Sequence, residues 1–182
     1  DFLPHFPALN IRTHGIQALL DIYKNIFKNK QDQHMVCLKT KRINWKYVGL
    51  FIKELAKLEN DFLVEEYNFR EKYDKWKWNE PTTLKENEEY IQNFPIMYRQ
   101  DEKYINPYLF GWEDRYYKLL FHTNNANIFN ICKNYLEGLE WTFRYYIGDC
   151  IDWRWKYNYN YGPLFKDLIK TIPKNNNLNF IK

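Results

Sequence analysis

From Asn125 to Ile147 the chain sets Ile128, Ile131, Cys132, Tyr135, Leu139, Phe143 and Tyr146 at three- and four-residue intervals. That period follows one face of an α-helix, so the spacing predicts a helix over 125–147. Gly148 comes next, where a left-handed helix end suits a residue without a β-carbon. The same argument predicts a helix over 15–28, its apolar face made of Ile16, Leu19, Leu20, Tyr23, Ile26 and Phe27. A longer helix is expected from Asn44, as N-cap, to about Tyr73, with Val48, Phe51, Ile52, Leu55, Phe62 and Leu63 turned inward. Residues 111–121 read as helical, and Pro163 is placed to open a last helix through Leu168 and Ile169.

Between the helices expected at 44–73 and 111–121, residues 74–107 carry Pro81, Pro95, Pro107 and many charges. They are expected to form an irregular insertion with one short helix at 83–93. Strand-like alternation is weak everywhere except 153–161, and no internal repeat is visible. The expected fold is therefore mainly α, an irregular multi-helix domain over residues 1–173. It should carry an aromatic-rich extended or loop segment near residues 152–163 and a polar tail at 174–182.

Composition removes several function classes. The 27 Lys and Arg against 23 Asp and Glu leave a net charge of +4, too weak to indicate nucleic acid by itself. Apolar runs such as Val48-Gly49-Leu50-Phe51-Ile52 are far short of a bilayer span, so no membrane partner is expected. Three widely spaced cysteines (Cys37, Cys132 and Cys150) without a CxxC pair suggest reduced thiols in a cytoplasmic setting. The chain opens on Asp1 rather than Met and shows no signal-peptide pattern, as expected of a piece of something longer.

No Gly-rich phosphate loop, HExxH or GxSxG occurs. His5, His14, His34 and His122 lack metal-ligand spacing, and no cysteine has a convincing catalytic partner. Glu137 and Glu140 sit three apart on a helix, as many structural carboxylates do. The chain alone contains no complete active site.

The aromatic content is the exception, with 7 Trp, 16 Tyr and 13 Phe. Rings at Trp153, Trp155, Tyr157, Tyr159 and Tyr161 alternate with Arg154, Lys156, Asn158 and Asn160. In an extended segment this puts rings on one side and polar or cationic groups on the other. One reading is a platform for a single nucleic-acid strand, with π-faces for bases and charges for phosphates. The other is a half-buried segment packed on the helices, since aromatic alternation is common in cores.

Two distant motifs carry a resemblance. Asp1-Phe2-Leu3-Pro4-His5-Phe6-Pro7-Ala8-Leu9-Asn10-Ile11-Arg12 resembles the DFLPHxPxLxIR signature of the XRN family of 5′→3′ exoribonucleases. Residues 135–163, YLEGLEWTFRYYIGDCIDWRWKYNYNYGP, resemble that family's YxEGLxW segment followed by SWxWxYPYHYAP. Between them, Asn44, Glu59 and Arg115-Tyr116-Tyr117-Lys118 fit the family's order and spacing over roughly residues 1–172.

The resemblance implies the helical second part of an exonuclease core that degrades 5′-monophosphorylated RNA processively with Mg²⁺ or Mn²⁺. An upstream nuclease domain would supply most of the acidic ligands. Asp1 matches the aspartate of the family's GNDFLPH segment and is the implied catalytic metal carboxylate. Trp153 and Trp155 occupy the two positions from which a family Trp stacks on bases, and the choice between them stays open. Arg154 and Lys156 would attract the RNA backbone, while His5, Tyr157, Tyr159, Asn160 and Tyr161 would pack or hold the site. The departures are Asp152 for Ser, Asn158 for Pro, Asn160 for His and Gly162 for Ala. Asn160 removes a proton-transfer role, and Asp152 sets a negative charge near the presumed RNA path. A non-catalytic scaffold binding RNA or protein, and a purely structural ribbon, are the alternatives.

Overall fold

A computed structural model describes residues 2–11, 15–29, 33–123, 127–149 and 152–173. The polar tail expected at 174–182 lies outside these residues, as do Asp1, His14 and Cys150. The order is α1 (Gly15–Phe27), β1 (Val36–Cys37), β2 (Arg42–Ile43), α2 (Trp45–Glu71), α3 (Leu84–Gln92), α4 (Phe94–Met97), α5 (Gln100–Ile105), α6 (Trp112–Leu120), α7 (Ile128–Tyr146) and α8 (Phe165–Thr171). The fold is mainly α, as the periodicities imply. No helix among the described residues is long and apolar enough to cross a membrane.

The core lies where α8 packs on both α2 and α7. Ile52 and Leu55 of α2, Cys132, Tyr135 and Leu136 of α7, and Phe165 and Leu168 of α8 are buried together, with Ala8 and Leu9 from the opening segment. A neighbouring cluster joins Trp112, Tyr116 and Tyr117 of α6 to Ile131 and Leu164. The stripe that α2 buries includes Glu59 and Glu66 as well as apolar residues. Glu59 caps α8 from outside: its Oε1 accepts the Phe165 N–H at 2.6 Å and its Oε2 the Lys166 N–H at 3.1 Å. These donors have no partner inside their own helix, so a buried carboxylate is held where helix backbone needs an acceptor.

Three expectations are corrected. Helix α1 buries Phe27 and packs Leu19 and Ile26 on the core as expected, but it also buries Ile22 and leaves Ile16, Leu20 and Tyr23 exposed, so its inward face is rotated in part from the one read in the sequence. Apolar residues occupy two faces of this helix. Its packing on α2, and the Gly15 N–H held by the Asn10 carbonyl at 2.9 Å, are the contacts that accompany the observed rotation. Asn44 stands at the N-cap of α2, but its side chain caps nothing and its buried Oδ1 has no partner. Its backbone carbonyl instead accepts from Tyr47 and Val48, both at 3.0 Å. The segment before it forms a small antiparallel hairpin, Val36 opposite Ile43 and Cys37 opposite Arg42, too short to leave a periodic signal.

The insertion is less irregular than its prolines suggest. Helix α3 opens with a capping box between Thr83 and Glu86, and α4 and α5 follow. Buried Arg99 ties the insertion to the end of α2, donating to Asp74 at 2.8 Å, Glu102 at 2.7 Å and the Tyr67 carbonyl at 3.3 Å. Arg115 gathers the next loop, with its guanidinium on the carbonyls of Tyr104, Ile105, Leu109 and Phe110 at 2.8–3.1 Å. Gly148 ends α7 with φ +72°, as the sequence implies.

Candidate nucleic-acid interface

Helix α7 presents Tyr135, Gly138, Trp141 and Tyr145 at three- and four-residue spacing, which is one side of a helix. The opening segment lies along that side in the opposite direction. The Tyr135 hydroxyl donates to the Pro4 carbonyl at 2.7 Å, Leu3 covers Gly138, and the Phe2 ring meets Tyr145 at 4.7 Å and Trp141 at 5.0 Å. The aromatic ribbon follows the same side. Trp155 stacks on Trp141 (5.6 Å, 24° between planes), Tyr157 stands edge-on to Tyr135 at 5.4 Å, and the Asn158 N–H reaches Asn134 Oδ1 at 3.0 Å.

Opening segment and ribbon meet where side chains are missing. A β-carbon on Gly138 would lie 2.5 Å from Leu3 Cδ2 and 2.6 Å from Trp155 Cη2, and one on Gly162 would lie 3.0 Å from the His5 carbonyl oxygen. The Tyr116 hydroxyl donates to the Gly162 carbonyl at 2.7 Å, fixing that crossing from below. The two strands of chain bound an open cleft of about 490 Å³. Phe2, Leu3, Pro4 and His5 line it from one segment and Trp155, Lys156, Tyr157, Tyr159 and Asn160 from the other, with Trp141 between.

The ribbon is an unpaired loop that bends over residues 158–161. From Trp155 to Asn160 it alternates as the sequence implies: Trp155, Tyr157 and Tyr159 are half-buried, whereas Lys156, Asn158 and Asn160 are exposed. Trp153 stands outside this register because it lies within a turn, closed by the Trp155 N–H on the Asp152 carbonyl at 3.3 Å. The Asp152 carboxylate accepts the Arg154 N–H at 2.9 Å, and the Asp152 carbonyl accepts the Trp141 indole N–H at 2.7 Å. A serine hydroxyl could accept the same backbone N–H, so the exchange of Ser for Asp keeps the turn. The N–H and the guanidinium of Arg154 hold the Asp152 carboxyl below the usual carboxylate range.

The two tryptophans therefore differ. Trp155 closes a stack of three nearly parallel rings with Trp141 and Tyr145, while Trp153 touches Tyr145 by an edge and is 73% exposed. Arg154 is exposed and paired with Asp152 at 3.3 Å, so part of its charge is met locally. Lys156 lines the cleft and has no ion pair among the described residues. Tyr157 donates to the Tyr161 carbonyl at 2.9 Å, and burial pushes its phenol far above the ordinary range. Tyr159 and Tyr161 both pack on Phe121, and Asn160 and His5 face the cleft.

Phe2, Gly138 and Trp141 complete the site without having been singled out by spacing. Their role arises only where distant segments meet. Among the described residues, no three of His, Cys, Asp or Glu converge to hold a metal ion. The expected metal carboxylate, Asp1, lies outside the described residues, one position before Phe2 in sequence.

The family model for the Xrn1 helical domain matches residues 1–106 and 70–181. The 5′-3′ exoribonuclease 2 homolog of Drosophila melanogaster is 22% identical over 213 aligned residues, covering 93% of this chain and 23% of that protein. The 5′-3′ exoribonuclease 2 of Saccharomyces cerevisiae is 38% identical over 61 residues, 31% of this chain and 6% of the relative. The 5′-3′ exoribonuclease 1 of that yeast is 38% identical over 64 residues, 34% of this chain and 4% of the relative. The chain spans less than a quarter of the length of these curated relatives.

Proposed function

Since the chain belongs to the Xrn1 helical-domain family, we propose that it is the helical part of a 5′→3′ exoribonuclease and that its aromatic cleft receives the 5′ end of an RNA strand. The observation that carries this reading is the convergence of the opening segment and the ribbon over Gly138, around one open cleft. A single strand needs flat apolar faces and a nearby cation; the cleft offers Trp155 and Lys156, and Trp153 stands outside its lining, against Tyr145. Trp153 has the exposed ring and is the base-stacking residue. Trp155, braced on Trp141, forms the wall that keeps the ribbon in place. Stacking accepts any base, which suits degradation without sequence preference.

The substrate is RNA with a 5′ monophosphate, removed nucleotide by nucleotide. Mg²⁺ or Mn²⁺ would supply an activated water and stabilise the leaving oxygen. Asp1 is the one carboxylate this chain brings to such a metal centre, and the packing of Phe2 on Trp141 and Tyr145 fixes the backbone next to it. The remaining ligands come from a nuclease domain outside this chain, so the fragment alone is inactive. Widely spaced cysteines without a CxxC pair support a cytoplasmic setting, with the nucleus as the alternative.

The test joins this chain to a nuclease part of the same family and measures digestion of 5′-monophosphorylated against 5′-hydroxyl RNA. The expected result is Mg²⁺-dependent digestion of the first, abolished by Asp1→Ala. Digestion that ignores the 5′ group, or survives Asp1→Ala unchanged, refutes the reading.

A further inference from the structure

Between Gln33 and Lys53 the chain has five Lys or Arg residues (Lys39, Lys41, Arg42, Lys46 and Lys53) and no Asp or Glu. The whole chain is +4, so subtracting this +5 leaves the remainder at −1. The positive charge of the protein is thus concentrated in one short stretch, and the fold sets that stretch on a firm base. Ile43 of β2 and Trp45 of α2 are buried in the main core, and the Asn44 N–H is held by the Met35 carbonyl at 2.8 Å. Strand alternation then turns Arg42 outward beside inward Ile43. Lys39 and Lys41 belong to the turn, where Lys41 takes a left-handed φ of 51°. Lys39, Lys41 and Arg42 are exposed and make no ion pair among the described residues.

We propose that this hairpin is a second RNA contact outside the aromatic cleft, where Lys39, Lys41 and Arg42 neutralise phosphates of a single strand. Cations this close in sequence act together within a Debye length, and phosphate contacts of this kind hold a strand without reading its bases. The tip offers one exposed apolar residue of note, Leu38, which is little for burial in a lipid interface. The choice of RNA over other polyanions rests on the function proposed above.

The test uses the 182-residue chain and a fluorescent single-stranded RNA, with Kd measured across a KCl series. Replacing three phosphate-contacting cations in K39Q/K41Q/R42Q should weaken binding about tenfold or more at moderate salt and flatten the log–log salt slope by about 2. The charge-keeping variant K39R/K41R/R42K should bind as wild type, which separates charge from folding. Exposed Cys37 gives a reporter in the unmodified chain: RNA should slow its alkylation, read by peptide mass spectrometry. If RNA binds and Trp153→Ala weakens it, while the triple glutamine variant and Cys37 alkylation are unchanged, the hairpin proposal is wrong and the cleft reading stands. If the triple variant alone weakens binding, the hairpin stands and the cleft reading falls. Absence of RNA binding overturns both. Protection of Cys37 by phosphatidylserine vesicles but not by RNA also overturns the proposal, in favour of a membrane surface.

Discussion

Leu3 and Trp155, from opposite ends of the chain, close over the same bare patch of helix α7 at Gly138. This meeting joins the residue that follows the expected metal carboxylate by two positions to the aromatic ribbon. A helix normally disfavours glycine by about 1 kcal/mol relative to alanine. Here the missing β-carbon is what lets two segments lie against the helix at once.

Gly138→Ala should therefore behave unlike an ordinary helix substitution. The new methyl must push aside Leu3, which is flexible, and Trp155, which is braced on Trp141. The gain in helix propensity is offset by overpacking of about 1–3 kcal/mol. We expect a net loss of up to about 2 kcal/mol in denaturant unfolding and altered near-UV circular dichroism from the disturbed indole stack. An unchanged aromatic spectrum would show that the two segments do not depend on that contact.

The two ribbon tryptophans should separate in paired measurements. Trp155→Ala removes a half-buried ring from a three-ring stack and should destabilise the chain by about 2–3 kcal/mol. Trp153→Ala should change stability by less than about 0.5 kcal/mol, since its ring is exposed. In RNA binding, the loss of Trp153 should remove about 1–3 kcal/mol. Equal loss of stability in both variants, with no loss of RNA affinity in Trp153→Ala, would contradict the assignment.

Much of this arrangement is legible in the sequence. Helix α7 announced itself because its apolar residues keep one period for five turns and Gly148 ends it. The ribbon's alternation puts five rings on one side; Trp155, Tyr157 and Tyr159 are half-buried, as the packing reading implies, while Trp153 and Tyr161 are exposed. Trp153 broke the pattern because the Asp152–Arg154 turn rotates it out of register. In helix α1 the period is right for Leu19, Ile26 and Phe27 but not for Ile16, Leu20 and Tyr23, which look as buriable as Ile22, and only neighbouring elements choose between the faces. Trp141 stands in the YxEGLxW segment, but its role is not legible there, since its partners Phe2 and Trp155 reach it from distant parts of the sequence.

Tyr135→Phe tests how the opening segment is held. Its hydroxyl donates to the Pro4 carbonyl at 2.7 Å, and removing it leaves that acceptor without this donor. The expected loss is about 1–2 kcal/mol. Amide hydrogen exchange over residues 2–9 should accelerate more than in α2. Uniform acceleration throughout the chain would mean that Tyr135 supports global packing rather than this segment.

Glu59 predicts an unusual pH dependence. Burial pushes its carboxyl up to about 7, against the lowering effect of the Phe165 and Lys166 N–H donors. The folded state therefore keeps a proton that the unfolded chain releases near the ordinary glutamate value of 4.5. More protons are bound folded than unfolded between those limits, so stability falls as pH rises through that window, by up to about 3 kcal/mol. Asp74 and Asp152 titrate below the usual range in the folded chain, so their stabilisation is lost at lower pH and does not overlap. In Glu59→Gln the amide oxygen can still accept the Phe165 N–H, but no proton is exchanged. Urea unfolding between pH 5 and 8 should then be nearly flat for the variant and decline for the wild type. The same slope in both proteins would mean that the carboxylate capping α8 is as well stabilised in the fold as in water.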